Sequence, residues 1–298
     1  MFSLIKEMMS YSFLVRAVLV GLPVSLCAAL LGVSLVLKRY SMMGDGLSHV
    51  GFGTLAVATA LNVTPLYVSI PVVLLTAFLL LRISESGKIK GDAAIALIST
   101  GSLAIGVVII SMTTGMNTDV CNYMFGSILA MSRNDVRLSL ALAAVVLLLF
   151  ALFYNRIFAV TFDENFARAT GARASLYNMI IALLTAVTIV LGMRMMGALL
   201  ISSLTIFPAL TAMRVFKRFS TVTICSAVIS VVCFLAGVIA SFRYDTPTGA
   251  SVVIMNIIAF AVFWGIRLLP KRRGTVAASS IASSVASTNA STTGGESK

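Results

Sequence analysis

Nine apolar runs, separated only by short connections, limit what this chain can become. They cover residues 14 to 37, 44 to 61, 66 to 81, 92 to 112, 136 to 153, 175 to 192, 196 to 213, 221 to 241 and 249 to 268. A hydrocarbon core of about 30 Å takes about 20 apolar residues per helical crossing, close to the length of each run. Lipid offers no hydrogen bonds to a backbone, so runs of this kind must satisfy themselves as helices. Of the 298 residues, 59% are hydrophobic and 11% charged, where a soluble domain carries about 25% charged. The expected fold is all-α: a polytopic membrane protein of about eight to nine transmembrane helices, with a membrane domain at 1–273 and a tail at 274–298.

The formal charge of +12 is a topology signal. The clusters Lys38-Arg39, Arg82/Lys88/Lys90, Arg156/Arg168/Arg173, Arg214/Lys217/Arg218 and Lys271-Arg272-Arg273 fall in alternate connections. Basic residues in alternate connections mark the cytoplasmic side. They do not form the continuous stripe of a nucleic-acid binder. The N-terminus is then outside and the C-terminus inside. The opposite connections, 62 to 65, 113 to 135, 193 to 195 and 242 to 248, are neutral or balanced.

Within those outer connections, Arg194 reads as solvated or headgroup-facing, and Val120 to Met131 as a short helix lying at the outer surface. Residues 274–298, rich in Ser, Ala, Thr and Gly, lack the large side chains a fold needs and read as a disordered cytoplasmic tail. Met1 to Tyr11 has no small-residue cleavage site and reads as retained. Cys27, Cys121, Cys225 and Cys233 are widely spaced, with no C-x-x-C, and define no disulfide framework.

An Asp inside a spanning helix costs about 2.5 to 3.5 kcal/mol on insertion scales, so it needs a partner or a water-filled cavity. Glu7, Glu85, Asp119, Asp135, Asp163, Glu164 and Asp245 lie in connections, Asp92 begins a span, and Glu296 is in the tail. Only Asp45 remains, and His49, the sole histidine, follows it by four residues. Residues i and i+4 share a helix face, so the two can converge on one cation. They can equally bond to each other, or Asp45 can cap the second helix. Gly46, Gly51 and Gly53 leave room on that helix for a neighbouring helix or an ion.

Four segments share one further property. Leu37-Lys38-Arg39-Tyr40-Ser41-Met42-Met43-Gly44-Asp45-Gly46-Leu47-Ser48-His49 resembles the "RR-x-S-x-x-GD-x-L-x-H" segment of bacterial ABC transporter permeases for zinc, manganese or iron. Tyr123 to Ala130 is similar to the "LFG-x-ILA" segment of that family. Gly197-Ala198-Leu199-Leu200 with Phe207-Pro208-Ala209-Leu210-Thr211-Ala212 is similar to its "VG-x-LL…PAATA" helices, and Ser241 to Ala250 to its "Y-x-D-x-PSGA" outer loop. The resemblance covers residues 14 to 268 and departs at Gly46 and at Val50-Gly51-Phe52-Gly53, where the usual proline is missing.

The resemblance implies a permease subunit of an ATP-driven importer in the bacterial cytoplasmic membrane, dimeric with a second permease copy. It also implies two partners, an extracytoplasmic solute-binding protein and a separate ATPase subunit. Asp45 and His49 fall on the metal-coordinating pair of that family. No permanently bound cofactor is implied; Zn(II), Mn(II) or Fe(II) is cargo. Asp163, Glu164, Ala167 and Gly171 fall in the ATPase-coupling segment, and Asp245, Pro247 and Gly249 in the outer loop.

The residues agree with that division of labour. No G-x-x-x-x-G-K-[ST] occurs, so the sequence has no phosphate loop for ATP and reads as a transport subunit rather than an enzyme. Met193, Met195 and Met196 read as packing residues rather than a soft-metal path. Asp245 reads either as facing a docked partner or as starting a turn with Pro247 and Gly249. A different class of function stays open: a proton-coupled carrier using Asp45 and His49 as a relay, which would call for more intramembrane carboxylates and an inverted repeat.

Overall fold

Every apolar run becomes a helix in the computed structural model, which describes residues 10–86, 91–113 and 133–268. In chain order these are α1 (Ser12–Leu37), α2 (Ser41–Ala60), α3 (Pro65–Ser86), α4 (Gly91–Thr113), α5 (Arg133–Phe162), the short α6 (Glu164–Ala169), α7 (Ala174–Met196), α8 (Ala198–Val215), α9 (Phe219–Tyr244) and α10 (Thr248–Leu268). The described residues contain no strand. Val120 to Met131, the Tyr123 to Ala130 motif, Cys121 and the 274–298 tail lie outside the described residues. As far as Trp264 the described chain is one compact unit.

Among the described residues eight helices are long and apolar enough to cross a membrane, and α2 is the long helix that is less apolar than this requires. Its glycines, serines, Asp45 and His49 lower its hydropathy, although its 20 residues span about 30 Å at a rise of about 1.5 Å per residue. Packing explains how it is tolerated. α2 is surrounded by α1, α3, α4, α7 and α8, so most of its length is buried in protein. The rim is the reverse: α4, α5 and α10 turn Leu97, Val108, Leu148, Leu152, Ile254 and Val262 outward. An apolar outer face of this kind is what lipid requires.

Two glycines set the closest approaches around α2. A Cβ on Gly32 would lie 1.9 Å from the Thr205 carbonyl oxygen, and one on Gly53 would lie 2.6 Å from that of Ser102. Only a bare Cα lets α1 meet α8, and α2 meet α4, backbone to backbone. Gly46 and Gly51 are likewise filled from outside, by Ile95 of α4 and Met193 of α7. The room on this helix is taken by neighbouring helices, which decides between the two uses the sequence left open.

Two connections differ from the expectation. α5 continues through Arg156 to Phe162, 30 residues in all, because neither Gly nor Pro interrupts it. The cytoplasmic connection that follows is therefore short and mostly occupied by α6. On the other side, no turn forms at 193 to 195; those residues are helical, and α7 breaks at Gly197, whose φ of 85° suits a glycine. That break is set well below the end of α1. A Cβ on Gly21 would lie 2.7 Å from Met196 Cε, and Gly21 is about 13 Å along α1 from Ser12 by helical rise.

Candidate functional site: a carboxylate and imidazole pair on the central helix

α2 begins at Ser41 with Tyr40 as its N-cap residue, so Asp45 stands in the second turn and does not cap the helix. This removes the capping alternative. From Met43 to Ala56 every residue of α2 is buried except Asp45 and His49. The two side chains are 41% and 24% exposed and stand on one face of the helix. His49 Nε2 lies 3.6 Å from Asp45 Oδ2, so the two ends face each other as an i, i+4 pair set longer than a hydrogen bond. The Ser202 hydroxyl of α8 also faces the Asp45 carboxylate. Among the described residues no group of three or more His, Cys, Asp or Glu side chains could hold a metal. The Asp45 carboxylate and the His49 imidazole thus set one oxygen-bearing and one nitrogen-bearing group on a shared helix face.

A second constellation sits at the inner end. Asp163 is the N-cap of α6, its carboxylate accepting from Phe166 N at 2.9 Å. Gly171, at φ 82°, ends the helix: Ala172 N donates to Ala167 O and Gly171 N to Arg168 O. This is the paired-bond termination for which glycine is favoured. Ala167 is 1% exposed against Val160 and Ala174, so it faces the protein. Glu164 also turns inward, to Lys38 Nζ at 3.0 Å and to Asn178 Nδ2 at 3.1 Å, and it accepts from Arg168 at 2.6 Å. Burial alone would raise the Glu164 carboxyl, but hydrogen bonds from Asn178, Lys38 and Arg168 and the Lys38 charge outweigh it and hold the pKa down at about 2. Two aromatics face outward beside these groups: Phe162 at the end of α5, 77% exposed, and Phe166 on α6, 66% exposed.

At the opposite end, Arg194 is neither solvated nor headgroup-facing, as the sequence had indicated. Its guanidinium is 17% exposed and reaches Asp135 of α5 at 3.0 Å. The recessed α7–α8 break explains this, since it leaves the end of α7 flanked by protein. Asp245 occupies a left-handed position, φ 52°, at the end of α9. The turn is closed by Ser241 Oγ donating to Thr246 O at 2.6 Å and by Ser251 N donating to Pro247 O at 3.1 Å. Asp245 and Pro247 are exposed and Gly249 is buried. The ligand pair, the inner segment and the outer turn are thus three separate places. Sequence reasoning passed over Lys38, counted only as a topology marker, and Asn178, a lone amide in an apolar run whose polarity was the available signal.

Helices apolar outward and holding their few charges inward are the build of a multi-pass membrane permease, seated in bacteria in the inner membrane. The chain belongs to the ABC 3 transport family, whose model matches residues 10–266. It is 28% identical over 256 residues to the manganese transport system membrane protein MntC of Halalkalibacterium halodurans, covering 86% of this chain and 88% of that one. It is 30% identical over 252 residues to the high-affinity zinc uptake system membrane protein ZnuB of Haemophilus influenzae, covering 85% and 97%. Among solved structures, PsaBC from Streptococcus pneumoniae in complex with Fab superposes with a TM-score of 0.79 at 26% identity, covering 91% of this chain and 97% of that one.

Proposed function

We propose that this chain is the membrane permease subunit of an ATP-driven importer for a divalent transition metal ion, and that Asp45 and His49 are the ligands the ion meets on its way. The supporting observation is their placement: they alone are accessible in the otherwise buried stretch from Met43 to Ala56. Imidazole with carboxylate suits Zn(II), Mn(II) or Fe(II). Structural zinc sites use four protein ligands. Two per chain, completed by water or by a second copy of the permease, hold an ion loosely enough to release it. The family and the names of its manganese and zinc relatives support this cargo class.

The ion is delivered from outside by a solute-binding protein, with Asp245 and Pro247 on the outer surface it meets. Energy comes from a separate ATPase subunit seated against α6. The exposed Phe162 at the end of α5 and Phe166 on the capped α6 support that docking: apolar anchors of this size fit a groove on a partner. In cells or proteoliposomes, Asp45→Ala and His49→Ala each abolish uptake of Mn(II) and Zn(II) while the protein reaches the membrane in normal amount. Normal uptake by both variants would remove the ligand assignment. Accumulation driven by a proton gradient without ATP would instead make the pair a proton relay.

A further inference from the structure

We propose that Lys38 is a positioning residue for transport: its ammonium ties α6 to the α1–α2 joint and carries movement of α6 to the helix that bears Asp45 and His49. The inference rests on the reading that α6 docks the ATPase. A lysine at a membrane interface ordinarily extends its head into water. Lys38 does the opposite, with its side chain 8% exposed, bonded to Glu164 Oε2 at 3.0 Å and to Asn178 Oδ1 at 2.5 Å. Glu164 lies 126 residues further along the chain, at the first position of α6. The bond therefore joins two connections on the same side of the membrane that the chain itself does not link.

The joint on the receiving side is stiff. Tyr40 N donates to Leu35 O at 2.8 Å and Arg39 N to Val36 O at 3.1 Å, with Arg39 at φ 61°. These two bonds close the end of α1 directly onto the start of α2, leaving no loop to absorb a displacement. Asp45 follows within the first turns of α2. On the driving side, α6 packs on α5 and α7 through Ala167 and leaves Phe166 exposed for a partner, beside the exposed Phe162 at the end of α5. A push on α6 thus has one charged, buried strut by which to reach the ligand helix.

The test uses the permease assembled with its ATPase and binding protein in proteoliposomes, with Mn(II) and Zn(II) as probes, and reads ATP hydrolysis and metal accumulation in the same vesicles. Lys38→Met lowers accumulation about tenfold while hydrolysis stays within about twofold and the ATPase remains bound, in the range that coupling substitutions reach. Lys38→Arg, which keeps the charge, restores most of the accumulation. Unchanged accumulation in Lys38→Met, or accumulation and hydrolysis falling together as the ATPase is lost, would overturn the proposal. If Lys38→Met does not reach the membrane, Glu164→Gln is read against the same two outcomes. Phe166→Ala tests docking separately: retained ATPase binding removes the docking reading and with it the path through Lys38. Lost binding beside a normal Lys38→Met keeps docking and removes the strut.

Discussion

The two ends of this bundle hold their buried charges in different ways. At the inner end, Lys38, Glu164, Asn178 and Arg168 share four contacts, and Glu164 keeps partners whichever single neighbour is removed. At the outer end, Asp135 and Arg194 face each other across α5 and α7, and the Arg194 Nε is buried without a partner among the described residues. A shared network loses little when one member goes, whereas removing Asp135 strands the Arg194 charge. The outer pair is therefore a brace, and the inner network can transmit force without being the main source of stability.

The largest effect expected from this contrast is at the outer pair. Asp135→Asn leaves a guanidinium buried and unmatched and costs about 3 kcal/mol, the low end for breaking a buried pair. Denaturation in detergent measures it, and the double variant Asp135→Asn/Arg194→Met recovers most of the loss. Equal damage from Lys38→Met would erase the contrast.

A smaller effect is set by pH. The Glu164 carboxyl is lowered from 4.5 to about 2, so the inner network contributes fully above about 4.5, and its contribution fades as pH falls toward about 2. Thermal stability followed from pH 7 to pH 3 should decline more steeply in the wild type than in Glu164→Gln; identical slopes would show that the network contributes nothing there. Smaller again, Arg39→Gly relieves a left-handed residue and gains up to about 1 kcal/mol, read as a higher melting temperature. Least of all, Arg168→Ala removes a half-exposed ion pair and changes stability by less than about 1 kcal/mol. A larger loss would make Arg168 a structural member of the network rather than an addition to it.

Much of this was written in local pattern. Apolar runs gave the helices, because length and hydropathy act residue by residue. The i, i+4 spacing of Asp45 and His49 placed them on one face, and Gly171 marked the end of α6. What stayed hidden depends on pairing across the fold. Arg39 ends α1 in a conformation that glycine usually takes, so no glycine announced it. Glu164 and Ala167 were assigned to the docking segment from resemblance, yet their side chains point inward, and Phe162 and Phe166 form its outer face. Asp135 and Arg194 sit in connections that look solvated until the recess at Gly197 is known.

The polar character of α2 also bears on how the molecule is made. A segment carrying Asp45, His49 and several glycines partitions poorly into bilayer by itself, since a charged side chain opposes insertion, by about 2.5 to 3.5 kcal/mol where it stands at the centre of a span. A tight turn through Lys38, Arg39 and Tyr40 ties it to the very apolar α1, but its packing lies mainly on α3, α4, α7 and α8. The later helices then close around α2. The helix that carries Asp45 and His49 thus owes its place in the membrane to partners that mostly follow it in the chain.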